Sequence, residues 1–182
     1  MTNEKHVWNA KIYDRTKGNA TGCPFCNESR GEKAIHEWLD IHKISYETQF
    51  KLFANGPTLR AYKLDFYVPS QRCAIEFDGA FHFQPRHTDH DDKDTLIKRQ
   101  ARDKRKTLYC VRNAYQFAWL LRVHFEDEDD IDELLSCIFS NQMLHLEKQM
   151  HLCGLGAFVY MAGELTIVYS KSYPEKLQIS VV

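Results

Sequence analysis

The sequence predicts a mixed α/β domain, a central sheet flanked by helices. Three observations carry this. Apolar periodicity runs in the order helix, three strands, helix, strand, helix. The chain has 182 residues, enough for one domain with its own core. Proline and glycine are sparse, at 5 and 8 residues, so most of the chain has the composition of folded structure.

Each element has its own signal. The first helix runs from about Gly31 to Lys43. Ser29 caps it, Glu32 lies in its first turn, and Ile35, Trp38, Leu39 and His42 form the buried stripe. In Ser45–Phe53, Tyr46, Thr48, Phe50 and Leu52 alternate as in a strand, and Asn55-Gly56-Pro57 turns the chain into a hairpin. The second strand places Leu64, Phe66 and Val68 on one face, with Lys63, Asp65 and Tyr67 on the other. After a turn at Pro69-Ser70, Ile75 and Phe77 face one way and Glu76 and Asp78 the other. Gln84–Asp92 reads as a polar loop and Asp94–Val111 as a long helix. Ala118–Phe125 is a buried strand, and Asp129–Phe139 a helix that continues towards Leu152. Beyond Gly154-Leu155-Gly156, AFVYM and LTIVYS flank Ala162-Gly163-Glu164 as a hairpin, and LQISVV is a final strand. The expected division is an arm over 1–30, a core over 31–152 and a β-rich extension over 153–182.

Composition narrows the function classes. No apolar run approaches ~20 residues and MTNEKHVW lacks a signal-peptide pattern, which predicts an intracellular chain without membrane spans. In that setting most of the six cysteines should be free thiols, with Cys73, Cys110 and Cys137 in the core. Cys23-Pro24-Phe25-Cys26 is a CxxC knuckle. It reads as a zinc grip with His6 as third ligand, as a redox pair, or as incidental cysteines. The net charge of −1 conceals a cancellation. Lys93 to His124 holds nine Lys or Arg against Asp94 and Asp103, whereas Glu126 to Glu133 holds seven acids. The basic helix is either a solvated face or a surface for phosphates. Asp65, Glu76 and Asp78 stand in otherwise apolar strand sequence, where a carboxylate is costly unless paired or bound to a cation. They read either as one ion pair plus a turn aspartate or as ligands for a hard divalent ion such as Mg²⁺.

Six motifs in order resemble a known group. They are Gly22–Cys26, Ser29-x-Gly31-Glu32, Leu64-Asp65-Phe66, Ile75-Glu76-Phe77-Asp78-Gly79 with His82, Arg102-Asp103-x-x-Lys106-x-x-Tyr109-Cys110, and Leu121-Arg122-Val123. Together they look like the restriction-endonuclease-like, PD-(D/E)XK nucleases of phages and large DNA viruses. They are also similar to the very-short-patch repair and EDxHD homing endonucleases. The resemblance covers about His6 to Leu135. It implies a restriction-endonuclease-like fold and a metal-dependent endonuclease acting on nucleic acid, with duplex DNA first. The cofactor would be Mg²⁺ or Mn²⁺, and structural Zn²⁺ would sit in the arm. A homodimer is compatible with it, as is a place in the cytoplasm or in the nucleus of an infected host cell.

By the same resemblance Asp65 and Glu76 would be metal ligands and Asp78 a further ligand or a base, with Glu32 reaching in from the first helix and His82 assisting at the strand end. Lys106 and Arg122 would face the phosphate, and Lys98, Arg99, Arg102, Arg105 and Arg112 would hold the backbone. Asp78 stands where the usual motif has lysine. Either Lys106 substitutes from the helix, or acid and histidine replace that lysine as in the EDxHD variant. The first cysteine of the longer zinc module would fall near Thr2 and is missing. The competing reading is a non-catalytic DNA-binding module on the same fold.

Overall fold

The structure is a computed structural model that describes residues 28–52, 62–85, 93–140 and 156–178. Several expectations lie outside those residues: the zinc knuckle with His6, Cys23 and Cys26, the Asn55-Gly56-Pro57 turn, most of the Gln84–Asp92 loop, helix as far as Leu152, and the end of LQISVV.

Ser29 starts the first helix through a capping box. Its N–H donates to Glu32 Oε2 at 2.7 Å, and the Glu32 N–H donates to Ser29 Oγ at 3.2 Å. This helix, α1 (Arg30–Ile41), buries Ile35, Trp38 and Leu39, whereas His42, expected in the same stripe, lies just past its end and is exposed. It is followed by β1 (Glu47–Leu52), β2 (Tyr62–Val68), β3 (Cys73–Asp78), α2 (Lys93–Arg112), β4 (Trp119–His124), α3 (Ile131–Phe139), β5 (Phe158–Ala162) and β6 (Leu165–Tyr169). The six strands form one mixed sheet in the order β1-β2-β3-β4-β6-β5. Strands β3, β4 and β6 are parallel, and antiparallel pairs finish both edges.

Helices cover both faces, as a parallel centre requires. On one face α1 and α3 pack Ile35, Leu39, Leu134 and Ile138 against Phe66, Ile75, Phe77 and Leu121. On the other, Cys110 from α2 and Phe117 beyond it meet Leu120, Ile167 and Tyr169. Glu76, Asp78 and Arg122 alternate away from Ile75, Phe77 and Leu121, which turns them towards α2.

Two further expectations change. The predicted alternation of β2 breaks at Asp65: Phe66 and Val68 pack beside α1, whereas Leu64 joins Tyr67 in the α2-side cluster. On β1 the matching residue is Gln49, between Thr48 (opposite Phe66) and Phe50 (opposite Leu64), and it has a φ of 52°. A single residue in that conformation shifts every later side chain to the other face. Second, Cys73 and Cys110 are free and buried, as expected, but buried Cys137 is disulfide-bonded to a partner outside the described residues. No helix among the described residues is long and apolar enough to cross a membrane.

Candidate active site

The switch at Asp65 opens the sheet beside β3. The β2–β3 pairing runs from Val68–Cys73 to Phe66–Ile75. At the next step the Phe77 N–H donates to Asp65 Oδ2 at 2.9 Å, so a carboxylate replaces a strand carbonyl. A cavity of about 260 Å³ lies there, walled by Glu32, Asp65, Glu76, His82, Arg99 and Lys106.

Helix periodicity explains the basic wall. Arg99, Asp103, Lys106 and Cys110 recur at i, i+4, i+7 and i+11, one face of α2, and Cys110 is fully buried against the sheet. Lys106 Nζ accordingly reaches Glu76 from above, donating to Oε1 at 3.0 Å and Oε2 at 2.8 Å. Arg99 Nη1 donates to the Phe81 carbonyl, which fixes it at the mouth. The capping box holds Glu32 Oε2, and its side chain still forms part of the wall.

The charges are unevenly matched. Burial pushes the Asp65 carboxyl well above the usual range, and the neighbouring Glu76 adds to this; Lys106 and the Phe77 N–H only partly offset it. Burial works against the Lys106 ammonium, but Glu76 and Asp65 together raise it above an ordinary lysine and keep it charged. One ammonium thus serves two carboxylates. Asp65 Oδ1 makes no hydrogen bond among the described residues.

Asp78 and Arg122 are placed differently from the sequence expectation. Both are fully buried behind the cavity and form a two-point pair, Nε to Oδ2 at 2.8 Å and Nη2 to Oδ1 at 2.5 Å. The Tyr173 hydroxyl donates to Asp78 Oδ2 at 3.1 Å. Arg122 Nη1 donates to Thr107 Oγ1 at 3.0 Å and to the Asp103 carbonyl at 3.3 Å. Burial opposes the Asp78 charge, but Arg122 outweighs it and holds this carboxyl below the usual range. Asp78 therefore anchors Arg122, and neither residue lines the carboxylate cavity.

His82 joins the two regions. Its Nδ1 lies 2.7 Å from Asp103 Oδ2 and 3.3 Å from Asp78 Oδ1. Burial works to lower its pKa, but the Asp103 hydrogen bond and the Asp78 charge overcome this and raise it. Asp78, His82 and Asp103 bring ligand atoms within 4.8 Å of one another. As a divalent-ion site this group fits poorly, because Arg122 already occupies both Asp78 oxygens. Asp65, Glu76 and Glu32 line one cavity with carboxylate oxygens, the donor type that suits Mg²⁺ or Mn²⁺, but Lys106 takes both Glu76 oxygens and the three do not gather within 4.8 Å of one another.

Of the expected nucleic-acid contacts, Lys98, Arg102, Arg105 and Arg112 are exposed along a second stripe of α2, at i, i+4, i+7 and i+14. Arg105 Nη1 also reaches the Tyr62 hydroxyl at 3.3 Å. Sequence reasoning missed the Asp103 contact to His82 and the Tyr173 contact to Asp78. The spacing of Asp103 between Arg99 and Lys106 was a usable signal for the first; Tyr173, 95 residues from Asp78, had none.

Comparison with family models, with curated proteins and with solved structures gives no match to this chain.

Proposed function

We propose that the chain is a metal-dependent endonuclease that hydrolyses phosphodiester bonds in nucleic acid, duplex DNA first. One observation carries the reading: Asp65, Glu76 and Lys106 meet in a cavity beside an exposed stripe of cations on the same helix. Carboxylates beside a phosphate backbone are repulsive unless a divalent ion lies between them, and the stripe suits that backbone.

Asp65 and Glu76, with Glu32 at the wall, would hold Mg²⁺ or Mn²⁺. The ion would polarise a phosphoryl oxygen and lower the pKa of a bound water. Lys106 would offset charge that builds on the phosphoryl oxygens. The raised pKa of His82, with Nδ1 held by Asp103, suits its Nε2 to giving a proton to the leaving oxygen. Structural Zn²⁺ at Cys23, Cys26 and His6 rests on the sequence alone.

The second reading, a non-catalytic DNA-binding module, is favoured by one feature: Lys106 occupies both Glu76 oxygens. Incubation with plasmid DNA and Mg²⁺ or Mn²⁺ decides between them. Wild type should cut, and Asp65→Ala should lose at least about 100-fold in rate, the upper end of what outer partners of a metal site are worth. DNA binding should survive the substitution, because it rests on the helix cations. Cutting by Asp65→Ala at the wild-type rate would refute the assignment. Binding by the wild type without cutting would favour the module.

A further inference from the structure

A second cavity of about 260 Å³ adjoins the first, and His82 stands in the wall of both. Its character is different. Phe83, Ile97, Ala101, Tyr173 and Leu177 supply apolar and aromatic surface, and Gln100 and Lys104 supply polar atoms. Gln100 Nε2 is committed to the His82 carbonyl at 3.1 Å, which orients the amide. The turn Ala80–His82 sets the arrangement: Phe81 lines the carboxylate cavity, His82 divides the two, and Phe83 lines the second. Two large apolar side chains left exposed, Phe81 at 43% and Ile97 at 61%, stand one at each cavity.

We propose that the second cavity binds one unpaired nucleobase of the strand whose phosphate occupies the first. A nucleotide joins an anionic phosphate to a flat, half-polar ring, and the two cavities offer those environments in adjoining positions. Aromatic side chains with a few amide and ammonium groups form the usual lining for an unstacked base. A base within a continuous duplex is held in its stack and cannot enter a side pocket, so the preferred substrate carries an unpaired nucleotide at the cut. This inference rests on the first cavity being the phosphodiester site.

Two measurements test it. In the first, a deoxynucleoside 5′-monophosphate is titrated while the Ala101 and Leu177 methyl signals are followed by NMR. Both should shift with the nucleotide and stay unmoved by inorganic phosphate. In the second, cutting of a duplex with one bulged nucleotide is compared with cutting of the fully paired duplex, with Mg²⁺ present. The bulged duplex should be cut at least about fivefold faster, the lower end of what stacking one base is worth. Ala101→Trp should fill the cavity and abolish both the Leu177 shift and the preference. The exposed Lys104→Ala, which does not threaten folding, should weaken both. Methyl signals that ignore the nucleotide, or follow inorganic phosphate equally, overturn the proposal, as does equal cutting of the two duplexes. Shifts without any cutting would sink the nuclease reading and leave the base pocket standing.

Discussion

Asp78 and Arg122 are a carboxylate and a guanidinium taken wholly out of water, 1% exposed or less. Such a pair is stable only if every polar atom is engaged, and here Tyr173, Thr107 and the Asp103 carbonyl complete the set. Because Asp103 and Thr107 flank Lys106 on α2, the pair also holds the lysine above Glu76. Arg122→Met leaves Asp78 buried without its cation and should destabilise the protein by about 3–5 kcal/mol. Replacing both partners, Asp78→Leu with Arg122→Met, should recover much of that loss, since the orphaned charge is gone. Urea melts of the two variants provide the check. A double variant no more stable than the single one would mean that the pair does more than neutralise itself.

At the scale of elements, Gly31 shows how closely α1 meets the site strand. A Cβ there would lie 2.0 Å from the Phe77 ring, far inside any real contact. Phe77 is 7% exposed, so its ring has little room to give way, and its N–H holds Asp65. Gly31→Ala should therefore cost about 1–3 kcal/mol by overpacking. Adding Phe77→Leu should return part of the loss in the same thermal melts. An unaffected Gly31→Ala variant would mean that α1 is free to shift outward.

Much of this level was legible in the sequence. The first helix, expected over Gly31–Lys43, occupies Arg30–Ile41, and the expected Asp94–Val111 helix occupies Lys93–Arg112. For the first helix the signals are local, its apolar spacing and the Ser29 capping box. Alternation correctly turned Glu76 and Asp78 together away from Ile75 and Phe77. It could not say which cation each would meet. Arg122 is opposite Glu76 in the β3–β4 register yet reaches along the strand to Asp78, because Lys106 has taken Glu76 from the helix. The change of face at Asp65 was hidden for a related reason. It depends on Gln49 across the ladder and on the Phe77 N–H of the next strand, and neither is near Asp65 in sequence.

At the scale of the molecule, the hairpin after Gly156 belongs to the sheet rather than lying beside it. Strand β6 pairs along β4 from Trp119–Thr166 to Arg122–Tyr169 and buries Leu165, Ile167, Val168 and Tyr169 almost completely. Asp127 then fastens the chain beyond β6, taking the Ser172 N–H at 2.8 Å and its hydroxyl at 2.5 Å, which delivers Tyr173 to Asp78. Burial of a large apolar side chain contributes about 1.5–3 kcal/mol, so four of them match much of the ~5–15 kcal/mol by which a domain is stable. Deleting residues 156–182 would also turn β4 into an exposed apolar edge, a template for aggregation. The truncated chain should accordingly lose its cooperative thermal transition and precipitate, and all cutting should go with it. The milder Tyr173→Phe removes one hydroxyl and keeps the ring. It should stay folded with a stability loss of about 1.5–3 kcal/mol, the worth of one hydrogen bond to a charged oxygen that still keeps Arg122 Nε. A truncated protein that melts cooperatively at the wild-type temperature would show that the first four strands hold the site without the hairpin.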